Sequence, residues 1–215
     1  HGCDGPATQA LALSARARYG AAMTDLSDIK AIARKVAFAN RKAAQVAAPD
    51  AGAMVRDHLL ASRYLTGAQV VTAYRPIRTE INPDPLMEAL HAAGHRLAVP
   101  VILGEGQPLA FHEWWPGMLM QSGPFGAEIP VDTPALTPDL ILAPLLAFDR
   151  RGYRLGYGGG FYDRTLEGLR ARGRVTAMGL AFAAQEVEEV PIEPTDQRLD
   201  AILTERGIIK TEVEA

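Results

Sequence analysis

The spacing of apolar residues changes period repeatedly along the chain, and the order of those changes limits the fold more than any other feature. Short β-branched runs at Gln69–Tyr74, Arg96–Leu103, Leu109–Trp114, Leu140–Ala143, Val175–Phe182 and Leu199–Thr204 read as strands. Stretches of helical period lie between them. The first starts at Ser27, a residue suited to an N-cap, carries Ile29, Ile32, Val36 and Ala33 or Ala37 on one stripe, and ends near Ala48, before Pro49. The second covers Ala51–Tyr64, with Val55, Leu59, Leu60 and Tyr64 on one side and Gly67 beyond its end. A third begins at Pro83 or Pro85 and stops at Gly94, and a fourth spans Tyr162–Arg172. Strands separated by helices are expected to line up in parallel, with helices on both faces. The predicted fold class is therefore α/β: a three-layer α/β/α sandwich around a mostly parallel sheet, in a single domain over residues 23–215. The Gly- and Pro-punctuated segment 116–138 reads as a long loop, and there is no internal repeat. Residues 1–22, rich in Ala and Gly and without a clean period, are expected to be a leader outside the fold, with a transit peptide as the alternative.

Composition excludes several classes of function. The 215 residues hold 22 Lys and Arg against 25 Asp and Glu, a formal charge of −3, which argues against a general nucleic-acid binder. No apolar run approaches the ~18 residues that a transmembrane helix needs. Cys3 is the only cysteine, so neither an internal disulfide nor a cysteine zinc site is available, and a reducing compartment such as the cytoplasm is expected. The expected partners are small molecules.

In parallel sheets ligands bind beyond the carboxyl ends of the strands, which directs attention to the loops there. One loop stands out: Arg154-Leu-Gly156-Tyr157-Gly158-Gly159-Gly160-Phe161-Tyr162-Asp163-Arg164, which leads from the Leu140–Ala143 strand region into the fourth helix. Its four glycines let successive N–H groups approach a ligand, and the helix that follows adds the positive end of its dipole, so an anion is favoured. Arg154 supplies a planar donor fork suited to phosphate oxygens. From glycine content alone, a flexible hairpin carries equal weight. The chain has no Gly-Lys-Ser/Thr and no ribose acid after the glycines, so neither a Walker A loop nor a dinucleotide fingerprint is present.

The run Arg-Leu-Gly-Tyr-Gly-Gly-Gly-Phe-Tyr-Asp-Arg resembles the ATP-binding signature of the 5-formyltetrahydrofolate cyclo-ligases, also called methenyltetrahydrofolate synthetases. Lys30-x-x-x-Arg34, Tyr74-Arg-Pro-Ile-Arg-Thr-Glu80, Phe125-Gly, Asp139-Leu-Ile-Leu-Ala-Pro and Pro191-x-x-x-x-Asp196-x-x-Leu-Asp200 recur in the same order, so the resemblance spans about residues 28–206. It implies a sandwich of the sugar-phosphate isomerase and CoA-transferase type. It also implies an ATP-dependent cyclisation of 5-formyltetrahydrofolate to 5,10-methenyltetrahydrofolate by a monomer using Mg²⁺. A sugar-phosphate isomerase-like enzyme and a non-catalytic nucleotide-binding module are the alternatives.

On spacing alone, Lys30 and Arg34 share a helix face and, with Lys35, Arg41 and Lys42, read as a solvated basic surface. The resemblance instead assigns ATP contacts to Lys30, Arg34, Arg154, Gly156, Tyr157, Gly158, Gly159, Gly160 and Tyr162, with Arg154 and Lys30 carrying catalysis. Substrate contacts fall on Arg75, Glu80, Tyr157, Phe161 and Tyr162. Glu80 is the folate-binding acid, and its alternative is a charge favouring the following helix N-terminus. Asp163 beside phosphates calls for an intervening cation, so it is expected to hold Mg²⁺. The resemblance adds Asp196 as the second metal ligand. Phe125 is a further folate candidate, Trp114 and Trp115 are assigned to packing, and the His91/His95 pair is read as a solvent-facing helix end rather than a metal site.

Overall fold

The computed structural model describes residues 25–212; the expected leader at 1–22 lies outside them. Four helices, α1 (Leu26–Ala47), α2 (Ala51–Leu60), α3 (Asp84–Ala92) and α4 (Phe161–Arg172), surround a seven-stranded sheet. Its members are β1 (Val70–Thr72), β2 (Arg96–Ile102), β3 (Leu109–Trp114), β6 (Leu140–Pro144), β9 (Thr176–Leu180), β10 (Ala201–Thr204) and β11 (Gly207–Lys210). They lie in the order β11-β10-β9-β6-β1-β2-β3. The five inner strands are parallel, and the edge strands β3 and β11 fold back antiparallel onto β2 and β10.

Strand pleating splits the apolar side chains between two layers. Leu140 and Leu142 join the core under α2 and α3, with Val55, Leu59, Leu86 and Leu90, whereas Ile141 and Ala143 join the opposite core with Leu166 and Leu169 of α4. Burial on both faces explains why β6 reads as an uninterrupted apolar run. Gly179 of β9 sits where a Cβ would approach Leu145 Cδ2 to 2.6 Å and Leu199 Cδ1 to 2.9 Å. Gly179→Ala is expected to destabilise the protein by about 1–3 kcal/mol through overpacking. A denaturant midpoint equal to the parent's would contradict this.

Several expectations are corrected. Asp25, not Ser27, caps α1: its carboxylate accepts the Ser27 N–H at 3.1 Å. The buried face of α1 is Lys30, Ala37, Arg41 and Ala44, while Val36 is exposed, so the apolar stripe chosen from the sequence is not the inward one. The second helix stops at Leu60, and Tyr64 belongs to a separate short turn of 3-10 helix. Segment 116–138 contains a hairpin of β4 (Met120–Ser122) and β5 (Glu128–Pro130). A second hairpin, β7 (Ala147–Phe148) with β8 (Arg154–Leu155), precedes the glycine loop, and neither it nor β11 was expected.

Candidate functional site

The chain runs from β1 outward to β2 and then returns to place β6 on the other side of β1. The sheet order reverses between these two strands, the position at which open α/β sheets place a ligand crevice beyond the strands' carboxyl ends. The loop after β1 brings Glu80 to this crevice, the segment after β6 brings the β7–β8 hairpin and the glycine loop, and α1 lies across both.

At one end, Lys30 is nearly buried and its ammonium lies 3.0 Å from Glu193 Oε2 and 2.8 Å from Asp196 Oδ2. Arg34, one turn later, donates Nε to the Gly156 carbonyl at 3.0 Å. Arg154 leaves β8 and donates to the Gln197 carbonyl at 2.6 Å and to Asp163 Oδ1 at 2.7 Å; the same carboxylate oxygen accepts the Gln197 N–H at 2.9 Å. The stretch from Glu193 to Gln197 thus ties Lys30 and Asp196 to Arg154 and Asp163, across more than 160 residues of sequence. Within the loop, Gly158 and Gly160 have φ of +104° and +62°, in the left-handed region that favours glycine. A Cβ on Gly158 would also meet the Arg34 guanidinium at 3.2 Å. Gly160 caps α4 without a side-chain hydrogen bond, so no side chain competes for the helix's first N–H groups.

At the other end, Glu80 is buried and receives one hydrogen bond on each oxygen. Its Oε2 accepts the Ile77 N–H and its Oε1 accepts the Tyr157 hydroxyl, each at 2.9 Å. Burial pushes the Glu80 carboxyl above its ordinary range, against the lowering effect of those two donors and of Arg41 and Arg78. Tyr157 is pushed up to about 12, first by burial and then by the Glu80 charge. Burial, reinforced by the same carboxylate, raises the Tyr162 phenol. Arg41, 1% exposed, completes the cluster. It donates to Thr79 Oγ1 at 3.0 Å, to the Leu145 carbonyl at 3.3 Å and to the Tyr157 oxygen at 2.7 Å, and its Nη1 lies 3.6 Å from Glu80. An open groove of about 300 Å³, lined by Phe38, Ala39, Lys42, Arg78 and Thr79, adjoins this set.

Lys30, Arg34, Arg154, Asp163, Asp196, the glycine loop, Glu80 and Tyr157 therefore come together around the crevice. Phe161 and Tyr162 pack against the α4-side core. Arg75 is turned toward α3: its guanidinium grips both oxygens of Asp84 and lies over the Trp114 ring, and its buried Nε has no hydrogen bond among the described residues. The side chain of Phe125 lies outside the described residues. Sequence reasoning missed Arg41, which it placed on a solvated face. The sequence carries no signal for it: positions 30, 34, 37, 41 and 44 form one helical face, but alanines also occupy the exposed positions 31, 39, 43 and 47, so residue type does not mark which face is inward.

No group of three or more potential metal ligands exists among the described residues. The carboxylates of Asp163 and Asp196 each commit one oxygen and leave the other without a hydrogen bond among the described residues. Each uncommitted oxygen is a hard donor of the kind Mg²⁺ takes, one or two carboxylates at a time, together with phosphate oxygens and water.

A model of the 5-formyltetrahydrofolate cyclo-ligase family matches residues 27–205. The chain is 36% identical over 160 residues to the 5-formyltetrahydrofolate cyclo-ligase of Mycolicibacterium smegmatis, covering 68% of this chain and 81% of that one. Against the protein of the same name from Escherichia coli strain K12 the figures are 34% over 143 residues, 64% and 78%. The NMR structure of Aquifex aeolicus 5,10-methenyltetrahydrofolate synthetase aligns with a TM-score of 0.72 at 26% identity, over 87% of this chain and 95% of that one.

Proposed function

The chain belongs to the 5-formyltetrahydrofolate cyclo-ligase family, and on that premise we propose that the crevice between β1 and β6 carries out the family's ATP-dependent cyclisation. The formyl oxygen of 5-formyltetrahydrofolate attacks the γ-phosphorus of ATP and ADP leaves. The formyl carbon is then bound to a phosphate ester, a far better leaving group than oxide. N10 adds to that carbon and gives up its proton to solvent or the departing phosphate, phosphate leaves, and the 5,10-methenyltetrahydrofolate cation remains. No step needs a protein nucleophile, so the residues have to position the reactants and neutralise charge.

Lys30, Arg34, Arg154 and the N–H groups of residues 156–160 take the phosphates, with Lys30 and Arg154 nearest in role to the transferred group. Asp163 and Asp196 hold Mg²⁺ through their uncommitted oxygens; the bound ion would neutralise phosphate charge. Glu80 accepts the pterin's amino and ring N–H donors, with Tyr157, Phe161 and Tyr162 as its walls; Arg75 would reach this set only by releasing Asp84. The observation that carries this reading is Tyr157, which belongs to the glycine loop and also hydrogen-bonds Glu80, so a phosphate-binding turn and an acceptor for a heterocycle adjoin. Among the described residues no helix is long and apolar enough to cross a membrane. We place the enzyme in the cytoplasm as a monomer, on its single cysteine and its small-molecule substrates.

The test is to mix the protein with 5-formyltetrahydrofolate and Mg-ATP and follow the near-UV band of the methenyl product. Neither product nor ATP consumption would end this reading. Glu80→Gln keeps the side chain's size but replaces an acceptor-only group with an amide. It is expected to weaken formyl-folate about tenfold or more, with ATP affinity changed far less, the scale of a hydrogen bond to a charged group. Equal loss for both ligands would assign Glu80 a structural role instead.

A further inference from the structure

The largest fully buried side chain among the described residues is a cation that the reaction above does not use. Arg41 spends its donors in three directions, on Thr79, Leu145 and Tyr157, and its ring-flanked guanidinium lies 5.5 Å from the centroids of both Phe38 and Tyr157. A guanidinium has no lone pair to offer. The Tyr157 oxygen must therefore accept from Arg41, and its own proton is left to point at Glu80, 2.9 Å away. Glu80 in turn receives one donor on each oxygen, which leaves each oxygen a further lone pair in the acceptor-only form.

We propose that Arg41 is a positioning residue for formyl-folate, acting through Tyr157 and Glu80: it fixes the direction of the Tyr157 proton and holds Glu80 as an aimed, acceptor-only carboxylate. The proposal rests on the reading of Glu80 as the folate acid. It accounts for a charged residue spent in the core of α1, where an apolar residue would pack at less cost. It also makes folate binding depend on pH, because a protonated Glu80 would present a donor to the pterin's donors. The groups facing Glu80 are Arg41 from α1, the Ile77 N–H and Arg78 from the loop after β1, Tyr74 just past β1, Tyr157 from the glycine loop and Tyr162 from α4. Of these, Arg41 and Arg78 are the cations, and Arg78 is exposed while Arg41 is not. Removing Arg41 leaves a buried acid with its inner cation gone, so Glu80 should take up its proton at a higher pH.

The experiment is a formyl-folate titration by intrinsic fluorescence at pH values from about 6 to about 8.5, in which a larger protonated share of Glu80 shows as a greater loss at the acid end. It compares the parent with Arg41→Gln, Arg41→Lys, Glu80→Gln and the Arg41→Gln/Glu80→Gln double variant. Arg41→Gln is expected to weaken folate about tenfold near pH 6 and less near pH 8.5, with ATP affinity within about threefold of the parent. Arg41→Lys, which keeps the charge but not the three-way fork, should recover part of the loss and covers the case in which the glutamine variant fails to fold. The double variant should be no weaker than Glu80→Gln alone, because one residue acts through the other. Additive losses, or a loss that is the same at every pH, would overturn the role of Arg41. Unchanged folate binding by Glu80→Gln would overturn the assignment of Glu80 itself.

Discussion

Arg154→Met is expected to cut turnover about 10²–10³-fold, equivalent to about 2.7–4 kcal/mol of lost transition-state stabilisation, the range seen when a preorganised donor facing developing charge is removed. The side chain is only 5% exposed, and two of its nitrogens are fixed by the Gln197 carbonyl and Asp163, so in the proposed role it would meet the transferred phosphoryl group with little reorganisation. Folding should survive, since Asp163 keeps the Gln197 N–H and some solvent contact. Arg154→Lys should restore only part of the rate, because an ammonium cannot reproduce the fork that reaches both partners. Steady-state rates with both substrates, alongside the formyl-folate dissociation constant, would separate lost chemistry from lost binding. A rate within about threefold of the parent would remove Arg154 from the machinery.

Asp149→Ala should produce the largest loss of stability, about 3–5 kcal/mol, the cost of removing one partner of a buried charged network. For a protein of this size that is a fall in Tm of about 10 °C. Asp149 is fully buried in the turn between β7 and β8. Its carboxylate accepts the Tyr153 N–H at 3.1 Å and the Val190 N–H at 2.9 Å, and Arg151 donates to it at 2.7 Å and 3.0 Å. The alanine would orphan two backbone donors, the Tyr153 N–H next to Arg154 and the Val190 N–H just before the Glu193–Gln197 stretch, so the phosphate end should loosen as well. Asp149→Asn, which keeps one acceptor oxygen, should cost less. A calorimetric Tm within about 2 °C of the parent would show that the turn does not depend on this carboxylate.

The parallel strands were legible because burial on both faces leaves an apolar signature that local spacing reveals. Leu140–Pro144 needed nothing else. The short β4–β5 and β7–β8 hairpins left no such trace: with two or three residues per strand, alternation cannot accumulate, and their pairing depends on turn geometry and distant contacts. The site divides in a similar way. The glycine loop stands out by residue type, because the positive φ of Gly158 and Gly160 favours glycine. Arg41 does not, since a cation on a helix surface and a cation inside the same helix look identical until the partner face is known. What hid it was the assumption that charge points outward. Lys30 and Arg41 are both turned inward here because each finds acceptors from across the crevice.

The reversal of strand order between β1 and β6 also bears on how the chain reaches its native state. Val71 and Thr72 pair with Leu140 and Ile141, and Asp139 fastens the start of β1 through the Gln69 and Val70 N–H groups, each at 2.9 Å. This join closes about seventy residues of chain, whereas β2 and β3 form a local hairpin that can appear first. Loop-closure entropy has to be met before such a contact contributes, so assembly around β1 and β6 is expected to be slow, as is the still longer closure from Lys30 to Glu193 and Asp196. During synthesis, the half that carries Lys30, Arg34, Arg41 and Glu80 emerges well before the half that supplies Tyr157, Arg154 and Asp163. Neither half holds a working crevice by itself. The ability to bind either substrate therefore arrives with the final long-range docking, and ligands specific to the docked state will protect it against unfolding in proportion to their occupancy.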